Sequence, residues 1–347
     1  MPLSSKGVQG VKDLLDGAVK NEPLGLVFSA VDRSGNTLVE HAAGTLGIDS
    51  QEPMSTDTTI FWLASCTKLL TAISVLQLVE QGQIPLDDAS FVQKTLPELQ
   101  SKKVYADGVT ATEQNQPITV RMLLSHTAGF AYAFIDPRVQ IDDGLEGMKG
   151  DRNDVLNARL VNQPGTMWEY GINMDIAGLV LERVTNQTLG EYFATNIFAP
   201  LGISSSAASF FPQKNVHKNV AHMHQRDGEG KLKEREHLFK AALYQESKEQ
   251  QDKFFQSGGA GLWSRPKEYV KVLAALLNDG TSPTTGKQIL KKETVELMWE
   301  NQIPDQYVPF PLSFRHTSLS FSCFYKADEL ADQTSLEVAH HPRTRSS

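Results

Sequence analysis

Phe61-Trp62-Leu63-Ala64-Ser65-Cys66-Thr67-Lys68 runs directly into Leu69-Leu70-Thr71-Ala72-Ile73-Ser74-Val75-Leu76, placing a serine and a lysine three residues apart at the head of a long apolar helical run. Positions i and i+3 of a helix share a face, which sets Lys68 beside the Ser65 hydroxyl. A serine hydroxyl is a poor nucleophile at neutral pH until a base or a nearby cation activates it. The first turn of a helix adds unpaired N–H groups and a dipole that favour negative charge on or near that oxygen. The same spacing also suits an N-cap followed by a surface lysine. Ser-x-x-Lys recurs at Ser264-Arg265-Pro266-Lys267, with a proline and without the apolar run behind it. That second copy reads as a helix start with Ser264 as N-cap.

The 347 residues are 40% hydrophobic and 21% charged, enough apolar material for a large core in one domain or two intertwined lobes. A formal net charge of −8 without a long basic run argues against nucleic acid or an anionic membrane as partner. The two cysteines, Cys66 and Cys323, allow one disulfide and imply no framework, and Cys66 adjoins the candidate nucleophile, a poor place for a structural bridge. The N-terminal Met1-Pro2-Leu3-Ser4-Ser5-Lys6-Gly7 lacks the apolar core of a signal peptide, and no apolar run is long enough to span a membrane. The expected setting is cytoplasmic and soluble.

Outward from the Ser65 stretch, Val8, Val11, Leu14, Leu15 and Val19 keep helical spacing and predict a first amphipathic helix. Two β-rich runs, 24–31 and 37–44, flank the polar turn Asp32-Arg33-Ser34-Gly35-Asn36 and predict a hairpin. Helix, hairpin, then a strong helix indicates an α/β protein with an antiparallel sheet. The Ser65 helix should end near Glu80-Gln81-Gly82, with Gly82 at C′, and Asp87-Asp88 reads as an acidic cap. From there to about residue 250, helices and loops dominate. Thr119 should cap a short helix ending in Ser125-His126-Thr127-Ala128-Gly129, and Met174 to Val184 reads as another helix. His222 to Leu232 reads as a hairpin turning at Asp227-Gly228. Ser257-Gly258-Gly259-Ala260-Gly261-Leu262-Trp263-Ser264 leads into a helix holding Tyr269 to Leu277, and after Pro304 the character changes, with candidate strands at Ser320–Tyr325 and Thr334–His340.

A second chemical candidate lies in Pro164-Gly165-Thr166-Met167-Trp168-Glu169-Tyr170-Gly171-Ile172-Asn173, where Tyr170 occupies a loop just before a helix. Positive charge beside a tyrosine favours the phenolate, which could take a proton from Ser65 and return it to a leaving group. Tyr170 and Trp168 could equally wall an apolar pocket. His222-x-His224 is the one close histidine pair and lacks a third ligand at convincing spacing for zinc. Neither a Gly-x-Ser-x-Gly elbow nor a P-loop occurs. His126 reads as a residue bonding its own loop.

Ser65-x-x-Lys68, Leu123-Leu124-Ser125-His126-Thr127-Ala128-Gly129, Pro164-Gly165-Thr166 with Tyr170, Leu201-Gly202-Ile203 and Gly258 to Ser264 occur together in one order. In that combination the chain resembles β-lactamase-related serine hydrolases of the class C type, and within them the fungal esterase and transesterase branch that acylates polyketides. The resemblance covers roughly residues 8 to 304. It implies a β-lactamase/transpeptidase-like α/β fold: an antiparallel sheet flanked by the terminal helices (8–64 and 255–304) and a mostly helical lobe (65–254), together domain 1–304, followed by an atypical tail, 305–347. It implies Ser65 as acyl-accepting nucleophile, Lys68 as proton relay and Tyr170 as base and then acid, with the Ser65 N–H one oxyanion donor. Trp62, Trp168 and Trp263 are candidates to contact a hydrophobic substrate, or are core.

Two departures matter. The β-lactamases carry Tyr-x-Asn, whose asparagine helps hold the substrate's side-chain amide. Here the asparagine comes one place later, as Asn173, so this candidate substrate contact points from antibiotics toward esters. The family's third motif, Lys-Thr-Gly or a His/Trp-x-Gly variant on a late strand, is missing: Thr284-Thr285-Gly286-Lys287 lies too early, in a loop before a helix, and no glycine follows residue 304. The resemblance implies acyl transfer without metal or organic cofactor, from a small-molecule ester or thioester, or a carrier-protein-bound acyl group, to an alcohol. The alternatives are a carboxylesterase, and a binding or remnant protein that retains only the pocket.

Overall fold

In the computed structural model, which describes residues 3–20, 24–139 and 149–303, the chain begins with helix α1 (Ser5–Lys20) and a hairpin of β1 (Leu26–Val31) and β2 (Thr37–Ala43). Asp32 shapes the hairpin turn by accepting the N–H groups of Ser34 and Asn36, each at 2.9 Å. Such an Asx arrangement lets a short polar side chain replace ladder bonds where the chain reverses. The α1 helix packs on β2, where His41 Nε2 meets Asp16 Oδ1 at 2.7 Å. Of its apolar positions, Leu14 is 73% exposed, so the sequence stripe is wider than the face it packs with.

The Ser65 stretch differs from the single helix its spacing predicts. A two-residue strand β3 (Phe61–Trp62) gives way to a 3-10 turn over Ala64–Cys66, and helix α2 (Thr67–Glu80) begins only after it. Every residue of α2 from Thr67 to Leu78 is buried. A helix buried on every side lies at the centre of a fold rather than at its surface, and α2 runs through the main core, with Leu70, Ile73 and Leu76 fully buried. Truncating any of these three to alanine costs about 2–5 kcal/mol through lost transfer energy and the cavity left behind. The helix ends as expected, with Gln81 as C-cap and Gly82 left-handed at φ +70°.

Next come α3 (Ala89–Thr95), capped by Asp88, whose side chain accepts from Ser90 N, and α4 (Val120–Leu124), capped by Thr119, whose hydroxyl accepts from Met122 N. Asp87 serves otherwise: it takes the Arg121 guanidinium in a two-bond pair at 2.7 and 2.8 Å. The helices α5 (Arg152–Leu156), α6 (Asn173–Thr185), α7 (Leu189–Phe193) and α8 (Ala199–Leu201) follow, and α6 and α7 pack on α2. A short β4 (Ala208–Ser209) precedes the hairpin β5 (Met223–Arg226) and β6 (Leu232–Arg235), which lies where the Asp227-Gly228 signal predicts it.

After α9 (Lys248–Lys253), strand β7 (Trp263–Ser264) lies between β3 and β4, antiparallel to both. Trp62 faces Trp263, Phe61 faces Ser264, and Leu63 N donates to Leu262 O at 2.9 Å. This pairing brings the glycine-rich run 257–261 alongside the Ser65 turn. It also corrects the reading of Ser264 as an N-cap. Ser264 is a buried strand residue whose hydroxyl donates to Ala207 O at 3.0 Å, and Arg265 precedes helix α10 (Pro266–Leu277), with Pro266 at its start as expected. The α10 helix packs on β1, so helices and antiparallel strands build an α/β fold.

Thr284 to Lys287 lie in the turn between α10 and α11 (Lys292–Trp299), where Thr285 Oγ1 donates to Pro200 O at 2.6 Å. The candidate strands 320–325 and 334–340, and Cys323, fall outside the described residues. Among those described, no helix is long and apolar enough to cross a membrane.

Candidate active site

Ser65 is half-buried in the 3-10 turn, in its first turn, where a helix offers no internal acceptor for the backbone N–H. Ala64 before it has φ +46°, a left-handed conformation that costs a non-glycine residue about 1–2 kcal/mol. The Thr67 hydroxyl clamps this turn by donating to Ala64 O at 2.7 Å and accepting from Leu262 N at 3.1 Å. Tyr269 adds a third tie, donating to Cys66 O at 2.9 Å.

Lys68 is 0% exposed, so its ammonium depends on protein partners in place of water. It donates to Ser65 Oγ at 3.2 Å, to the Tyr132 hydroxyl at 3.1 Å and to Gly259 O at 2.8 Å. Tyr170 donates to the same Ser65 Oγ at 2.7 Å. The ammonium also lies 4.7 Å from the centre of the Tyr170 ring and 5.3 Å from that of Tyr132. Aromatic faces at that range attract a desolvated cation. The serine oxygen therefore sits between a phenol and an ammonium, two groups able to pass its proton.

The loop that carries Tyr170 is held by backbone bonds to the turn after α4. Gly165 N donates to Thr127 O at 2.7 Å, Glu169 N to His126 O at 2.9 Å, and Tyr132 N to Tyr170 O at 3.3 Å. His126, at φ +58°, turns its imidazole inward. Its Nδ1 lies 3.1 Å from Asn173 Nδ2 and 3.5 Å from Gly171 N, both donors, which assigns the ring proton to Nε2. Burial, reinforced by the Lys68 charge, holds this imidazole well below the usual histidine range. A neutral, enclosed imidazole 5.0 Å from the Tyr170 ring acts as a support for the loop.

Of the four candidate substrate contacts, two are only half-buried. Trp168 is half-buried and stacks on Tyr170 at 6.2 Å, and Trp62 donates its Nε1–H to Ala260 O at 2.5 Å and stacks on Phe239. The other two are buried. Trp263 is 1% exposed, its ring edge-on to His237, because the β3–β7 pairing turns it into the core. Asn173 is 0% exposed, and its Nδ2 lies against His126 Nδ1 and donates to Phe130 O.

Sequence reasoning missed Tyr132 and the carbonyl of Gly259, both direct partners of Lys68. Tyr132 follows Gly129 by three places, just beyond the stretch that stood out, and Gly259 lay in a run whose pattern announces a turn without announcing a partner. Among the described residues no group of three or more His, Cys, Asp or Glu side chains could hold a metal ion. His222 meets Glu234 at 3.0 Å and His224 accepts from Ile48 N at 3.2 Å.

Comparison with known proteins identifies the family. The beta-lactamase family model matches residues 16–323, reaching past Pro304. Monacolin J acid methylbutanoyltransferase of Aspergillus terreus is 32% identical over 300 residues, 82% of this chain and 68% of that protein. Lovastatin esterase of Penicillium rubens is 33% identical over 308 residues, 80% and 69% of the two chains. Among solved structures, simvastatin synthase from Aspergillus terreus, in its LovD6 mutant form, superposes with a TM-score of 0.70 at 31% identity, covering 86% of this chain and 71% of that one.

Proposed function

Because this chain belongs to the beta-lactamase family, we propose that it transfers acyl groups through a covalent intermediate on Ser65, with Lys68 and Tyr170 as its proton-handling partners. The observation that carries this reading is the meeting of Lys68 Nζ and the Tyr170 hydroxyl on one oxygen, at 3.2 and 2.7 Å.

In the first step Ser65 Oγ attacks the carbonyl carbon of an ester or thioester while Tyr170, as phenolate, takes the serine proton. The carbonyl π electrons move to oxygen, and the Ser65 N–H serves as one donor to that oxyanion. Collapse expels the alkoxide or thiolate, which leaves with the proton from Tyr170. In the second step an acceptor hydroxyl gives its proton to Tyr170 and attacks the acyl-enzyme, and Tyr170 returns that proton to the departing Ser65 Oγ, which restores the serine and the phenolate. Lys68, held by Gly259 O and Tyr132, favours the anionic form of each oxygen beside it. Trp168 and Trp62 offer apolar surface for the body of a hydrophobic substrate.

An alcohol acceptor of secondary-metabolite type, with a small-molecule or carrier-bound acyl donor, is the favoured substrate class. It is supported by relatives named as acyltransferases of polyketide acids. Hydrolysis, with water as acceptor, is the second reading, supported by the lovastatin esterase relative. A binding-only protein that keeps the pocket is the third.

The test uses a p-nitrophenyl ester and intact-mass measurement, with and without an added alcohol. A mass increase of one acyl group on the wild type, absent in Ser65→Ala, with ester formed when alcohol is added, is the expected result. Release of free acid alone, with alcohol present, selects hydrolysis. Neither adduct nor turnover selects the binding-only reading.

A further inference from the structure

One buried titratable group beside the triad has no part in those steps. Asp175 is 2% exposed in the first turn of α6, where the helix dipole favours a negative charge. Its Oδ1 accepts from the Ser257 hydroxyl at 2.5 Å and from Gly259 N at 3.1 Å. The next stretch of the same turn is held from α2, through Thr71 Oγ1 donating to Gly258 O at 2.8 Å. Gly259 is thus gripped at both ends: its N–H by Asp175, its carbonyl by Lys68 at 2.8 Å. A Cβ added at Gly259 would stand 2.4 Å from Asp175 Oδ2 and 3.0 Å from the Tyr132 hydroxyl, so the carboxylate and the Lys68 shell close on one glycine.

We propose that Asp175 is a positioning residue for acyl transfer: it fixes the Gly259 carbonyl against Lys68 and supplies the buried negative charge that keeps protons on the Lys68–Tyr170 pair. The proposal rests on the reading of Ser65 as nucleophile. Buried charges persist where they are paired and hydrogen-bonded; the two donors on Oδ1 and the Lys68 charge favour the anionic carboxylate that this proposal requires, against the effect of burial. Burial raises its carboxyl above the usual range, opposed by the Ser257 hydroxyl, the Lys68 charge and Gly259 N–H. Among the described residues, the titratable groups around this pair are Lys68 from α2, His126 and Tyr132 from the turn after α4, and Tyr170 from the loop before α6. His126 is neutral, held so by burial and by Lys68. The turn from Ser257 to Gly261 contributes no titratable side chain.

Asp175→Asn separates charge from shape, because the amide oxygen can accept the same two bonds while the negative charge is gone. Without that charge each proton on the Lys68–Tyr170 pair leaves at lower pH. Both limbs of the kcat/KM profile with a p-nitrophenyl ester then move in the acid direction, by roughly half a unit or more. A readout independent of turnover is the ultraviolet phenolate signal of Tyr170, isolated by subtracting Tyr170→Phe, which should also titrate at lower pH in Asp175→Asn. If that variant does not fold, Ser257→Ala serves. It removes one donor from the carboxylate, thins its charge and shifts the limbs the same way by less. Limbs and phenolate signal that stay within about 0.2 unit of wild type, whatever the loss of rate, overturn the proposal and leave Asp175 a packing residue. A wild type that forms no Ser65 adduct sinks the acyl-transfer reading instead, while the phenolate titration still decides the charge effect of Asp175.

Discussion

The Tyr170 hydroxyl donates to Ser65 Oγ at 2.7 Å although 105 residues separate the two in the chain. Tyr170→Phe removes that oxygen and nothing of the ring that packs on His126 and Trp168. The expected result is a fall of about 10²–10⁴ in the acylation rate, the usual worth of a positioned acid–base group, with thermal unfolding near wild type. Rapid-quench mass measurement of the acyl adduct checks it. A rate within a few-fold of wild type would assign the base to another group.

His126→Asn tests the support behind Tyr170. Asparagine tolerates the left-handed backbone at this position, so the loss is of the ring that accepts from Asn173 and Gly171. Leaving a buried amide without its acceptor costs about 1–3 kcal/mol, read as a lower urea midpoint, and the acylation rate should drop with it. An unchanged midpoint would mean the Gly171 N–H finds another acceptor, since the Asn173 amide keeps Phe130 O.

Gly129→Ala should be the most damaging small change in the site's frame. Gly129 has φ +95°, and an added Cβ would lie 2.2 Å from the backbone oxygen of Asn162. Backbone cannot swing aside as a side-chain tip can. We expect a loss of at least about 2 kcal/mol, or no soluble protein, and a denaturation midpoint within about 0.5 kcal/mol of wild type would contradict it.

Lys102 makes stability pH-dependent. Burial pulls its ammonium from 10.5 down to about 8, with Glu98 opposing, while Nζ donates to Ala158 O at 2.6 Å. Below pH 8 both folded and unfolded chains carry the proton, and the folded one does so at a cost. Between about 8 and 10.5 the unfolded chain holds more protons, so this group's contribution to stability rises with pH across that window. The gain is at most about 3 kcal/mol, less because the side chain is partly hydrated. Lys102→Met should remove that rise: the difference in unfolding free energy between the variant and wild type shrinks on going from pH 7 to pH 9.5. A constant difference would show that Lys102 titrates alike in both states.

Local signals were readable where a single stretch of chain suffices. The caps at Asp88 and Thr119, the close of α2 at Gly82 and the turn of the β5–β6 hairpin all depend on bonds within a few residues. The misreading of Ser264 has the opposite cause. Its serine–proline context suits a helix start, but the strand pairing with Phe61 and Ala208 claims it first. The burial of Trp263 and Asn173 was illegible for a related reason: side-chain direction at those positions follows from partners about 200 and about 45 residues away.

By itself the sequence determined that Ser65 and Lys68 lie within one turn of each other at the head of a largely apolar helix, because both facts follow from local spacing and composition. Only the tertiary structure decided what completes their surroundings. Tyr132, Tyr170, Gly259 and Asp175 come from segments that no local period relates to one another. The packing of α6 on α2 and the pairing of β3 with β7 bring them together. The physical reason is that a buried ammonium at Lys68 needs acceptors from whatever elements surround it in the core, and which elements those are is a property of packing, not of the neighbouring sequence.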